Sequence, residues 1–206
     1  MNEIITKIIE SEDSHIYQGE FIKNVEFIED FNEKDGNIEI SIINFPLVVA
    51  LTQECDSTQD YKNRLKEYQK RKETEGREGV ERNPYLLSIM VAPVYLLDDI
   101  KAGKHLEHLG ISCRTISSNE IKKIKQNADA RYHYMKIEVL SGKYIEYIVD
   151  FKQYFTVNVD KILQHKRNKE NIQFVLGDLF KESLSQRFSN YLSRIGLPET
   201  EIKEEE

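Results

Sequence analysis

The sequence predicts a mainly β protein, an all-β core that carries helical insertions and ends on a C-terminal α-helix. Three observations lead there. The stretches Pro46-Leu-Val-Val-Ala-Leu51 and Tyr85-Leu-Leu-Ser-Ile-Met-Val-Ala92 are apolar at nearly every residue and rich in β-branched side chains, as strands buried on both faces are. Segments around them alternate apolar and polar residues at period two, the mark of a strand with one wet face. Only the last long segment repeats its apolar residues at three-four spacing, as a helix does.

Taken in order, residues 1–14 predict a short helical or mobile lead-in. Glu20-Phe-Ile-Lys-Asn-Val-Glu-Phe-Ile-Glu29 runs close to period two with some doubling. Asp35-Gly36 is a turn signal, and Asn37-Ile-Glu-Ile-Ser-Ile42 alternates cleanly, so two antiparallel strands are expected. Pro46 then opens the first buried strand, which stops at Thr52-Gln-Glu-Cys-Asp56. Residues 59–75 predict a solvated helix with a thin stripe of Tyr61, Leu65 and Tyr68, and residues 76–83 a polar loop. Residues 57–84 are therefore an insertion into the sheet. Tyr85 to Ala92 is the second buried strand, ended by Pro93. Residues 98–109 predict a helix with Leu97, Ile100, His105 and Leu109 inward. Ser117-Ser-Asn-Glu120 is a capping box opening a short helix through Gln126. Residues 98–128 thus form a second helical insertion. Residues 131–139 and 144–151 predict a hairpin around Ser141-Gly142, and residues 154–159 another strand. Gly177-Asp178 starts the final helix, with Phe180, Leu184, Phe188, Tyr191, Leu192 and Ile195 inward. Gly196 and Pro198 end it. The expectation is one domain over residues 1–198, a five- to seven-stranded, strongly bent sheet or partial barrel with residues 47–51 and 87–91 central. An acidic tail follows over residues 199–206.

Composition narrows the class of function. The chain has 206 residues, 39% hydrophobic and 32% charged, which implies a small core and a heavily solvated exterior. Aromatic residues at 10% are too many for a disordered chain. The longest apolar run is far shorter than a membrane crossing needs, so no membrane partner is expected. The first residues carry acid where a secretory signal needs a basic start. Cys55 and Cys113 make no disulfide framework, which suits a reduced, cytoplasmic protein. The net charge of -7 argues against a broad nucleic-acid-binding surface while leaving room for a local basic face.

Several residue groups are candidates for chemistry. Gln53, Cys55 and Asp56 lie at the end of a buried strand, where a sheet presents side chains to a cleft. Cys55 would be a nucleophile or metal ligand, Asp56 an orienting carboxylate and Gln53 an oxyanion donor. The structural alternative makes Cys55 a small buried hydrophobe, with Asp56 capping the next helix and Gln53 serving the loop. His105, His108, His133 and His165 carry no spacing diagnostic of a catalytic base. No Cys-x-x-Cys or His-x-x-x-His pair points to a metal, though His105 and His108 could share a helical face. No glycine-rich phosphate loop occurs, and no cofactor is expected. Lys62, Arg64, Lys66, Lys70, Arg71 and Lys72, with Tyr61 and Tyr68, could meet RNA, but Glu67, Glu73 and Glu75 interleave with them as on a salt-bridged helix. A second basic group, Lys161, His165, Lys166, Arg167 and Lys169, is expected in a loop. Arg131, Tyr132, His133 and Tyr134 could line a binding groove, half of them facing the core. Gln186, Arg187 and Arg194 lie off the apolar stripe of the final helix and could contact a partner or form its solvated face.

Three segments in this order carry a family resemblance. Pro46-Leu-Val-Val-Ala-Leu-Thr-Gln53 resembles the "RPALVLSN" strand of the PemK/MazF toxin family. Ser88-Ile-Met-Val-Ala-Pro-Val94 resembles its "LVLVCPIT" strand, and Tyr147-Ile-Val-Asp-Phe-Lys-Gln-Tyr-Phe-Thr156 its "SVVLLDQIRTLD" segment. The chain is more specifically similar to uncharacterised bacterial proteins marked by a Thr/Ser-Gln-x-Cys-Asp motif, here Thr52 to Asp56, and a closing "LSQRFxxYLxRIGLP" helix, here Leu184 to Pro198. The resemblance implies an SH3-like, usually dimeric partial barrel whose active relatives cut single-stranded RNA. The second set is often encoded among toxin–antitoxin and phage-defence genes. The family's arginine before the strand-opening proline and its later threonine correspond here to Asn44-Phe45 and Tyr95. No cation is then in place to stabilise the charge that RNA cleavage develops. The expectation is a non-catalytic PemK-like binding module or subunit of such a system. Its partner would be a protein, either a cognate component or a second copy, with RNA as a further candidate. A diverged single-strand endoribonuclease is the alternative.

Overall fold

The computed structural model describes residues 5–9, 15–34, 36–73, 85–140 and 142–194. The elements are β1 (Ile8–Ile9), β2 (Glu20–Lys34), β3 (Asn37–Ala50), α1 (Glu54–Glu73), β4 (Ser88–Leu96), α2 (Leu97–Ala102), α3 (Ser118–Lys125), β5 (Tyr132–Leu140), β6 (Lys143–Asp150), β7 (Phe155–Asn158), α4 (Val159–Lys166), β8 (Ile172–Leu176) and α5 (Asp178–Leu192). Among the described residues eight strands, against the five to seven expected, form one antiparallel sheet in the order β1-β8-β2-β3-β4-β6-β5, with β7 also paired to β4. The protein is mainly β with a C-terminal helix, as its alternation implies. Among the described residues no helix is long and apolar enough to cross a membrane.

Of the lead-in expected over residues 1–14 as helical or mobile, residues 5–9 are described, and they pair as strand rather than coil into a helix. Ile8 and Ile9 pair with Leu176 and Val175, while the Thr6 amide donates to the Lys136 carbonyl and Thr6 bridges Ile137. The chain at one end of the strand order thus touches the strand at the other. Strand β8, which no expected element covers, lies between β1 and β2. Its five residues follow a charged segment, too short a run for periodicity to single out.

Two prolines that read as strand boundaries lie inside strands. β3 continues through Pro46, which faces Asn24 between the pairs Lys23↔Leu47 and Val25↔Phe45. Pro46 has no N–H to give the ladder, and Asn24 takes a left-handed φ of 53°. Apolar side chains change sides there: Phe21 and Leu47 enter the central core, whereas Val25 and Phe45 join Ile22 and Val48 in an outer cluster. β4 likewise runs through Pro93. Along one edge it pairs with β7 up to Val91 and with β6 from Val94 onward, so the proline sits where the partner changes. Leu87, expected in the central strand, precedes it and is exposed.

Three apolar clusters hold the layers together. The central one joins Val49, Ala92, Ile137, Val149, Phe151, Phe174 and Leu176 to Leu184 and Phe188 of α5. The second packs β7 and α4 under β2, β3 and β4, and the third packs α2 and α3 against Tyr95, Tyr132 and Ile148. Because both faces of β5 are covered near its start, Tyr132 and His133 are both buried although they point opposite ways.

The helices differ in detail from expectation. α1 starts at Glu54, directly after β3, and Leu65 of its expected stripe is exposed. The helix expected over residues 98–109 stops at Gly103, whose φ is 72° and where an added Cβ would lie 2.3 Å from the Cys113 carbonyl oxygen. Only a 3-10 turn over Glu107–Leu109 follows. The capping box forms as read, Ser117 accepting from the Glu120 amide and Glu120 from the Ser117 amide. In α5, Leu184 and Phe188 are buried and Phe180 and Tyr191 pack partly, but Leu192 is exposed. The loop at residues 76–83, Ile195, Gly196, Pro198 and the acidic tail lie outside the described residues.

Candidate functional site

The end of β3 delivers Thr52 to Asp56 to a junction of four elements. Leu51 N donates to Met90 O and Met90 N to Thr52 Oγ1, so the ladder with β4 persists two residues past β3. The Gln53 carbonyl accepts from the Asp56 and Ser57 amides, which turns the chain into α1. Glu54 and Asp56 then sit in the first helical turn, where carboxylates oppose the helix dipole favourably. The three candidates do come together: Cys55 Sγ is 3.7 Å from both Gln53 Oε1 and Asp56 Oδ1. Cys55 is exposed rather than a buried hydrophobe. Both of these neighbours are acceptors, whereas nucleophilic attack needs a base or a cation beside the sulfur.

Glu54, the unassigned letter of the motif, is the residue that organises the junction. Its carboxylate accepts from the Gln18 amide at 2.8 Å and lies 3.4 Å from Lys181 Nζ and 3.7 Å from His15 Nε2. His15 stacks on Tyr17 at 4.2 Å, and Lys181 and Lys166 lie 5.4 and 6.0 Å from the Tyr17 ring centroid. Lys166 and Glu20 are both fully buried and pair at 2.5 Å, and Lys166 also donates to the His15 carbonyl. Nothing in the spacing of residues 15, 20, 54, 166 and 181 could have gathered these groups, since they meet only where α1, α4 and α5 converge on the start of β2.

The second candidate set is dispersed. Arg131 clamps the buried Asp150 through Nε at 2.8 Å and Nη2 at 2.5 Å, a bidentate pair that holds its pKa above the ordinary arginine value. Tyr132 is buried under that guanidinium, its centroid 4.7 Å from Arg131 Cζ, and burial pushes its hydroxyl up to about 12. His133 points into the central core, where burial and the Arg187 guanidinium pull it down to about 3. Tyr134 donates to Glu146 at 2.5 Å and is half-buried. Of the four, Tyr132 and His133 are buried and Arg131 and Tyr134 half-buried, because both faces of the strand are covered near its start.

Part of each basic group is engaged within the fold. Arg64 binds Asp60 at 2.7 Å, Asp160 at 2.5 Å and the Leu86 carbonyl, tying α1 to α4. Lys62 and Lys66 are exposed, while the side chains of Tyr68, Lys70, Arg71 and Lys72 lie outside the described residues. The second basic group is not in a loop: Lys161, His165 and Lys166 belong to α4, with Lys161 on Glu26 at 3.1 Å and His165 Nε2 2.7 Å from the Lys23 carbonyl. Arg187 donates to the carbonyls of Asn127, Asp129 and Tyr132, fastening α5 to the entry of β5. Gln186 and Arg194 are exposed. Among the described residues no three His, Cys, Asp or Glu side chains are placed to hold a metal ion.

A surface that residue chemistry did not single out stands on the β2–β3 hairpin. Beyond Val25 and Phe45 the two strands leave the sheet as a two-stranded ribbon, β8 having ended its pairing at Ile22 and β4 at Val48. Cross-strand partners share a face, so the pairs Ile28↔Ile42, Phe31↔Ile40 and Glu33↔Ile38 lie on one side. Asp30↔Ser41, Asn32↔Glu39 and Lys34↔Asn37 lie on the other, with a bulge at Glu29 setting the phase. Phe31 is 73% and Ile38 70% exposed, and Ile28, Ile40 and Ile42 are each more than half exposed. The signal was present as the isoleucine alternation; what hid it was the assumption that an apolar strand face is a covered one.

Compared with protein-family models, with curated proteins and with solved structures, the chain matches none.

Proposed function

We propose that this chain works by binding another protein, as a PemK-like module without nuclease chemistry in a bacterial toxin–antitoxin or phage-defence system in the cytoplasm. The observation that carries the binding part is the ribbon, whose five large apolar side chains share one exposed face. Contiguous apolar area of that kind on a water-facing surface marks an interaction site. The PemK-like part rests on the three strand segments that resemble that family. The Thr6–Ile137 bridge supports it, since an SH3-like barrel needs the ends of its strand order to meet. The position where the family carries its catalytic arginine is filled here by Asn44 and Phe45, and Phe45 is buried against Phe155. The competing reading, a diverged endoribonuclease, draws on the proximity of Gln53, Cys55 and Asp56.

The deciding experiment incubates the purified chain with a long unstructured RNA beside Cys55→Ala and Asp56→Ala variants. The expected outcome is intact RNA in all three. Cleavage by the parent that disappears in both variants would replace the binding module with a nuclease centred on Gln53, Cys55 and Asp56.

A further inference from the structure

We propose that the apolar face of the β2–β3 ribbon is closed by the same face of a second copy of this chain, in a two-fold contact with the ribbons antiparallel. This rests on the binding reading above and names the occupant of its surface. A two-stranded ribbon with one apolar face is marginal in water and gains stability when that face is covered by another layer. Phe27 and Ile43, which border the outer cluster, point to the opposite face, and the described residues of this chain provide no layer over the apolar one. The exposed parts of Ile28, Phe31, Ile38, Ile40 and Ile42 amount to on the order of 600 Å², the upper end for a patch on a monomer. Two such faces together would remove about 1,200 Å² from water, the threshold of a specific interface.

Self-complementarity follows from how the charges are sorted. A two-fold axis requires one surface to fit itself, and this one is β-branched and aromatic throughout. Asp30, Lys34 and Glu39 lie on the opposite face, and Glu29 is turned toward Ser41, which accompanies them. Stacked ribbons would keep those charges outermost, with the apolar layers about 10 Å apart as in a sandwich. Glu33, at the tip, is the one charge on the apolar side beyond Ile28. Antiparallel stacking holds the two Glu33 carboxylates apart and brings each to the base of the partner's ribbon, where Lys161 Nζ offsets the charge of Glu26 from 3.1 Å. Parallel stacking would bring the two carboxylates together.

Sedimentation velocity of the full chain, from roughly 1 to 50 µM, tests this directly, a range in which micromolar association is visible. The expected result is a reversible monomer–dimer equilibrium. A Phe31→Ser/Ile40→Ser double variant and, separately, Ile38→Lys should weaken it about a hundredfold, as loss of central anchors does. Asn32→Lys on the opposite face should leave it unchanged, and circular dichroism should show every variant folded. A monomer throughout the range, a dimer indifferent to the apolar-face changes, or open-ended association would each overturn the proposal. Assaying the same preparations with RNA separates the two readings. Cleavage would remove the binding module while leaving a measured dimer standing, whereas a monomer that spares RNA would remove only the second copy.

Discussion

Acid should destabilise this protein well before its carboxylates titrate, and His133 is the reason. The side chain is 3% exposed in the central core, near Phe151, and its Nδ1 is buried with no hydrogen-bond partner among the described residues. Burial first, and then the Arg187 guanidinium, pull its pKa from 6.5 to about 3. A folded pKa below the unfolded one means that the unfolded chain takes the proton first. The contribution of His133 to stability is therefore whole above about pH 6.5 and is lost as pH falls from there toward about 3, at up to roughly 1.4 kcal/mol per pH unit. Between pH 6.5 and pH 5 that is about 2 kcal/mol, a sizeable share of the 5–15 kcal/mol typical of a domain. His133→Leu removes both the titration and the partnerless nitrogen at similar volume. Urea unfolding of parent and variant from about pH 7 to about pH 5 would measure the effect, a window above the range in which unfolded carboxylates bind protons. The variant should be at least as stable as the parent near neutrality and should fall less steeply below it. A slope of the same sign remains from His105, whose pKa burial also lowers. Parallel loss of stability in parent and variant would refute the reasoning.

Two further outcomes test the packing of the helices. Lys166→Met alone leaves the buried Glu20 without its cation and should cost about 3–5 kcal/mol, whereas Lys166→Met/Glu20→Leu should recover most of that; equal denaturation midpoints for the single and double variants would contradict it. Phe188→Ala should cost on the order of 3–5 kcal/mol, because its ring lies 5.3 Å from Phe151 in the central cluster, while Leu192→Ala, at an exposed site, should stay within about 0.5 kcal/mol; thermal melts of the pair measure the difference.

Local rules made part of this protein legible in advance. The alternation from Asn37 to Ile42, the Ser117/Glu120 capping box and the start of α5 at Asp178 all depend on residues within a few positions of one another, and each forms as read. The motif at Gln53, Cys55 and Asp56 was legible as a cluster for the same reason, since a helical first turn brings neighbours together. Other features were settled by what lies across the sheet. Pro46 and Pro93 stay within strands because each stands where pairing breaks or the partner strand changes, so no buried N–H is demanded of it. Glu54 became the hub of the junction, and Lys166 a buried cation, through contacts with residues 36 to 151 positions away. Tyr132 and His133 were hidden from solvent by two different layers. The isoleucines of β3 show the division most plainly. Their period of two dictates that they share a face, because successive side chains in a strand point to opposite sides. Whether that face meets a core or water depends on where the neighbouring strands stop, and β4 and β8 both stop short of it.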